Sequence, residues 1–158
     1  MTVTRHLVFT YGTLKSGEPN HNIMIDPNTG SYELIGTGQT KEKFPLIIAS
    51  EFNLPFLLND AGKGHRIFGE IYSVDEQKLV ALDELEVHPT FYRREGHPVE
   101  MTNGEILKVW IYLLPTWKEE LVLTASEPMP NYSSLGSHGR VYVSRYNEEI
   151  ISRKLGSR

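Results

Sequence analysis

The chain has 158 residues, 39% of them hydrophobic and 23% charged, with a net charge of -4, a pI near 5.9 and no cysteine. That length supports one domain with a proper core and is too short for two comfortable ones, so a single domain over residues 1–158 is expected. The acidic balance, with no run of five or more basic residues, gives no general attraction to nucleic acid or anionic membrane, and the lack of cysteine excludes disulfides, thiolate metal sites and cysteine nucleophiles.

The start is polar, without a long apolar core or a small-residue cleavage site, and no stretch reaches the apolar length of a membrane span, so a cytoplasmic location is expected. The Asn131-Tyr132-Ser133 sequon then carries no meaning. The six histidines, His6, His21, His65, His88, His97 and His138, have no H-x-H or H-E-x-x-H spacing, so each reads as a surface or locally bonded histidine and no metal is expected.

In chain order, Leu7 to Tyr11 is rich in β-branched and aromatic residues and reads as a buried strand. Gly12 interrupts it where backbone can approach a ligand with no Cβ in the way. Pro19 suits the first position of a short helix through Asn22 and Met24, which leaves the amides of Gly12, Thr13 and Leu14 between a strand end and a helix start, where they favour an anion. Gly12 and Gly17 have the spacing of a phosphate-binding loop, but Glu18 and Pro19 stand where that motif needs a Lys and a hydroxyl, and no dinucleotide fingerprint is present. An ordinary strand-to-loop exit is the alternative.

Ser31 to Ala49 reads as extended, with Gly36 and Gly38 marking a bulge or bend. Leu54 to Leu58 is a second apolar piece, followed by the turn cluster 60–64 and an alternating strand from Arg66 to Tyr72, in which Gly69 hints at a close backbone contact. Ser73 to Glu86 is the best-marked helix, with Ser73-Val74-Asp75-Glu76 in the form of a capping box. At about 100° per residue from Leu79, Glu86 falls at about -20°, inside the stripe of Leu79, Leu82 and Leu85, while Glu84 faces water. Burial and the helix C-terminus would both raise the pKa of Glu86 and make it a better base. The competing reading lets the helix fray at His88-Pro89, so that Glu86 turns to solvent or pairs with Arg93 or Arg94.

Phe91 to Arg94 opens further sheet. Val99 to Thr102 and Glu105 to Leu114 flank Asn103-Gly104, a dipeptide suited to a tight hairpin turn. Leu107, Val109, Ile111 and Leu113 form one face of the second strand, while Trp110 and Tyr112 make the other face apolar too, as in a curled sheet or barrel. Trp117 to Leu123 reads as a short helix or strand. Pro128 to Gly139, with Tyr132, is a loop of the kind that covers a site, and Arg145 to Leu155 has some helical character.

Taken together, Tyr11-Gly12-Thr13-Leu14-Lys15, Pro45-Leu46-Ile47-Ile48, Asn53-Leu54-Pro55, Gly69-Glu70-Ile71-Tyr72, Leu82-Asp83-Glu84-Leu85-Glu86 and Tyr92-Arg93-Arg94 resemble the gamma-glutamylcyclotransferase superfamily over nearly the whole domain. The similarity is closest to its gamma-glutamylamine cyclotransferase branch, called AIG2-like or troponin C-akin, and it includes Pro19-Asn20-His21 and the segment from Tyr132 to Gly139. Val141 to Arg158 departs from that branch's usual short ending. The resemblance implies an α+β fold, a small mixed β-barrel with a few flanking helices. It implies substrate binding by Tyr11, Gly12, Thr13, Leu14, Tyr92 and Tyr132, with Glu86 as general acid/base. It also implies no cofactor, and a monomer acting on a small gamma-glutamyl molecule to release 5-oxoproline and an amine. A scaffold that kept the pocket, or a cyclotransferase for gamma-glutamyl amino acids or glutathione, are the alternatives.

Overall fold

The computed structural model describes residues 4–143; the helical segment expected from Arg145 to Leu155 lies outside them. β1 (Arg5–Thr10) is followed by the short helix α1 (His21–Met24) and a 3-10 turn (Pro27–Thr29). Then come β2 (Tyr32–Phe44), β3 (Leu46–Ala49), β4 (Leu54–Leu57), β5 (His65–Asp75), α2 (Glu76–Leu85), β6 (Arg93–Met101), β7 (Ile106–Leu113) and α3 (Glu119–Leu123). Five strands close a mixed barrel in the order β1-β5-β2-β6-β7, while β3 and β4 form a separate antiparallel hairpin.

The barrel closes through a parallel contact of β1 with β7 at Val8 and Trp110, the other neighbours being antiparallel. Closure removes the exposed edges that an open sheet of this size would present. It also explains why β7 is apolar on both faces. Val109, Ile111 and Leu113 pack inside with Phe9, Ile67, Ile71 and Val99. Trp110 and Tyr112 turn outward to Val8, Tyr72, Leu79 and Leu82, beneath α2.

The bend expected at Gly36 is a register shift between Leu34 and Gly36, and a second lies between Gln39 and Lys43. Gly69 faces β1 so closely that a Cβ there would collide with the Thr10 carbonyl and lie 2.5 Å from the Phe9 ring. The loop carrying Asn103-Gly104 joins β6 and β7, but it is wider than a two-residue turn: Met101 N–H donates to the Glu105 carbonyl and Gly104 takes φ 91°.

Two helix starts differ from expectation. Ser73 and Val74 stay in β5, paired with Leu7 and His6, so the cap of α2 is Asp75, whose side chain accepts from the Lys78 N–H at 2.8 Å. The ladder satisfies Ser73's backbone in a way a helix start could not, and this overrides the capping-box pattern. Likewise Pro19 precedes α1 instead of opening it, because Asn20 is the cap and its N–H is held by the Thr13 carbonyl at 2.9 Å. Among the described residues no helix is long and apolar enough to cross a membrane.

Candidate active site

β1 delivers the chain into the loop 11–14, and three contacts hold that loop open. The Tyr11 hydroxyl donates to the Tyr112 carbonyl at 2.7 Å, tying the loop to β7. The Ser16 N–H donates to Glu70 Oε1 at 2.8 Å, and Asn20 Nδ2 donates to Thr13 Oγ1 at 3.0 Å. With the loop fixed from both ends, the amides of Gly12, Thr13 and Leu14 donate to no acceptor among the described residues. Such amides need an oxygen from water or ligand.

Lys15 anchors the far side of the loop. It is buried, and its Nζ donates to Asn131 Oδ1 at 2.7 Å and to the Tyr132 carbonyl at 2.6 Å. Burial lowers its pKa, against the opposing fields of Glu18 and Glu70.

Glu86 is the C-cap of α2. Its N–H donates to the Leu82 carbonyl at 2.9 Å, and its own carbonyl accepts from the Tyr92 N–H at 3.2 Å. Val87, at φ 53°, turns the chain sharply away. A β-branched residue there costs about 1–3 kcal/mol, so the strain sits one residue beyond the candidate base.

A small cavity of about 70 Å³ joins these pieces, lined by Thr10 to Leu14, Glu86, Tyr92, Tyr112, Pro55 and Asn20 among others. Burial raises the pKa of Tyr11 well above the ordinary tyrosine value, and the Glu86 carboxylate raises it further. Burial likewise raises Tyr112, followed by its bond to Asp83, with the fields of Asp83 and Glu86 adding to it. Both phenols therefore sit in the field of Glu86. Neither donates into the cavity, because Tyr11 is spent on the Tyr112 carbonyl and the Tyr112 hydroxyl donates to Asp83 Oδ1 at 2.6 Å.

Asp83 also takes Nε and Nη2 of Arg94, at 2.8 and 3.1 Å, and that guanidinium lies 4.3 Å from the centre of the Trp110 ring. Arg94 is thus bound to Asp83, one turn before Glu86 on the same helix.

Of the residues named from sequence, Tyr11, Gly12, Thr13, Leu14, Glu86 and Tyr92 line this one cavity. The Tyr92 hydroxyl donates to the Pro55 carbonyl at 3.1 Å, with its ring stacked on Phe56. Tyr132 lies elsewhere, fully buried in the barrel core with Phe9 and Tyr11, its burial pushing the phenol up to about 12. It reaches the site through its carbonyl, which holds Lys15.

Sequence reading missed Pro55, Tyr112 and Tyr142 as cavity residues, and Asn20 as well. Asn20 and Pro55 stand in stretches that the family resemblance had marked, whereas nothing local distinguishes Tyr112 from its strand neighbours. Among the described residues no group of three or more His, Asp and Glu is arranged to hold a metal ion.

The family model for gamma-glutamyl cyclotransferase, AIG2-like, matches residues 8–132. The gamma-glutamylaminecyclotransferase of Rattus norvegicus is 41% identical over 147 residues, covering 89% of this chain and 97% of that protein. That of Homo sapiens is 36% identical over 152 residues, covering 89% and 98%. The crystal structure of an AIG2-like protein from Mus musculus superposes with a TM-score of 0.85 at 40% identity, covering 90% of this chain and 98% of the other. On this evidence of sequence and barrel alike, the chain belongs to the AIG2-like gamma-glutamyl cyclotransferase family.

Proposed function

We propose that this chain is a gamma-glutamylamine cyclotransferase, which converts a molecule of the L-γ-glutamyl-ε-lysine type into 5-oxoproline and a free amine. The observation that carries this reading is one cavity lined both by Gly12, Thr13 and Leu14, whose amides have no acceptor among the described residues, and by Glu86. Relatives named for this activity, about 40% identical over most of their length, support it.

The substrate carries its own nucleophile. Its α-amine attacks the γ-carbonyl carbon, a C–N bond closes the five-membered lactam, and the scissile C–N bond breaks. Glu86 takes a proton from the α-ammonium and passes it to the departing nitrogen, and the second proton that the attacking nitrogen sheds as the lactam forms ends on the same nitrogen, so the lactam keeps one N–H, the amine leaves as its ammonium and the enzyme ends unchanged. An unperturbed Glu near pKa 4.3 and an amine near 8 differ by roughly 5 kcal/mol, the gap that this proton transfer has to cross.

The amides of Gly12, Thr13 and Leu14 bind a carboxylate or the carbonyl oxygen on which negative charge develops. Fixing the glutamyl chain in the attacking conformation is an entropic task, and well-oriented intramolecular reactions reach effective molarities of about 10⁵–10⁸ M. Tyr11 and Tyr92 shape the walls, and Tyr132 acts from behind by fixing Lys15. We read the enzyme as a monomer, working in the cytoplasm on a water-soluble substrate.

Mass-spectrometric assay of L-γ-glutamyl-ε-lysine, γ-glutamyl-alanine and glutathione, side by side, tests the reading. Release of lysine and 5-oxoproline from the first, with much weaker action on the others, is expected. A preference for γ-glutamyl-alanine or glutathione moves the chain to a neighbouring specificity, and no product from any of the three leaves only a binding protein.

A further inference from the structure

Next to the cavity is a second, larger groove of about 800 Å³ lined by Glu18, Asn20, Ile23, Ser134, Leu135 and Tyr142 among others. Asn20 and Tyr142 belong to both, and Asn20 Nδ2 donates to the Tyr142 hydroxyl at 3.1 Å where the two spaces meet. The inner cavity is too small for more than one compact group, so the part of a substrate beyond the scissile bond must lie outside it, and the groove is the neighbouring space that shares lining residues with it.

Its chemistry has two parts. Ile23 and Leu135 offer apolar surface, with Leu135 82% exposed. Glu18 is the groove's acid: Oε1 accepts from the Ser134 N–H at 2.8 Å, which fixes the carboxylate, and it forms no ion pair among the described residues. The nearby Lys15 feels its field, but its Nζ is committed to Asn131 and the Tyr132 carbonyl.

Resting on the cyclotransferase reading, we infer that this groove is the subsite for the departing amine and that Glu18 reads a second, distal cation on it. The preferred leaving group is then an alkyl diamine, its methylenes laid on Ile23 and Leu135 and its far ammonium at Glu18. A leaving group that brings a carboxylate without a cation, as alanine does when linked through its α-nitrogen, meets the same charge as repulsion, whereas lysine linked through Nε brings its α-ammonium along with its carboxylate. An ion pair at a half-exposed carboxylate is worth about fivefold in affinity, and less at high salt.

The test compares N-(γ-glutamyl)-1,5-diaminopentane with γ-glutamyl-hexylamine, equal in length, with a terminal methyl where the first has its distal ammonium. Values of kcat and KM are measured from 5-oxoproline release by the purified chain and by Glu18→Gln, whose amide oxygen still accepts from Ser134. The wild-type protein should favour the diamine derivative about fivefold, through KM and less so as salt rises, and Glu18→Gln should bring the ratio close to one. Because ratios are compared across variants, intrinsic differences between the two amines cancel. A wild-type ratio near one, or a ratio that survives in Glu18→Gln, overturns the inference and leaves the groove to another occupant, such as a second copy. Failure of the cyclotransferase reading looks different: the wild-type protein then releases no 5-oxoproline from either compound, and the subsite falls with it.

Discussion

Replacing Glu86 by Gln removes the proton-transferring group while keeping side-chain volume and the main-chain bonds of that position. Two ties of Glu86 are main-chain ones, its N–H to the Leu82 carbonyl and its carbonyl from the Tyr92 N–H, and Gln keeps both. Its side chain is half-buried at a helix end, outside the three core clusters, so the change in stability should stay within about 0.5 kcal/mol, or roughly 2 °C in Tm for a chain of this size. Loss of a general acid/base should lower kcat by about 10²–10⁴, which corresponds to about 3–5 kcal/mol of barrier. Kinetics of 5-oxoproline release and thermal unfolding by circular dichroism, on the same preparation, read the two effects separately. A folded Glu86→Gln protein that keeps more than about a tenth of the wild-type kcat would refute the assignment of the base.

Two further outcomes follow from other parts of the fold. Gly12→Val should abolish binding of 5-oxoproline in calorimetry, because a Cβ at Gly12 already lies 3.0 Å from Cγ of the stiff Pro55 ring across the cavity; unchanged binding would remove the loop from the site. Above about pH 10, where unfolded tyrosine ionises, stability against urea should fall as pH rises, because burial holds Tyr72 and Tyr132 near 12 and raises Tyr11 and Tyr112 as well, so the folded state keeps protons that the unfolded chain loses. Lys15 and Lys78, whose pKa burial lowers, give the opposite slope up to the unfolded lysine value near 10.4, so the fall should dominate beyond it; a midpoint that holds steady between about pH 10 and 12 would contradict this.

The strands, the β6–β7 hairpin and the body of α2 were legible in the sequence because each is specified by its own residues. The two-sided apolar pattern of β7 announced a barrel, and the period of α2 placed Glu86 on the side of Leu79 and Leu82. Helix starts were less legible. Asp75 and Ser73 are equally good caps on paper, and only the pairing of Ser73 with Leu7 in β1, far off in the chain, decides that the helix begins at Glu76. The arginines show the same limit. Charge alone allowed Glu86 to pair with Arg94, yet Arg94 forks onto Asp83, whose spacing from the Tyr112 hydroxyl is set by the packing of α2 over β7.

What the sequence determined by itself, then, is local: a strand ending at a glycine with free amides beyond it, and a helix whose period carries one carboxylate on its apolar side. Hydrogen bonding within a turn and the 3.6-residue helical repeat act over a few residues, so neither needs the rest of the molecule. Bringing Glu86 and that loop to one cavity, and adding Asn20, Pro55, Tyr112 and Tyr142 as walls, was decided only by tertiary structure. Those residues are up to 122 positions apart in the chain, and their meeting depends on barrel closure between β1 and β7, an event driven by burial of the whole core and written in no single segment.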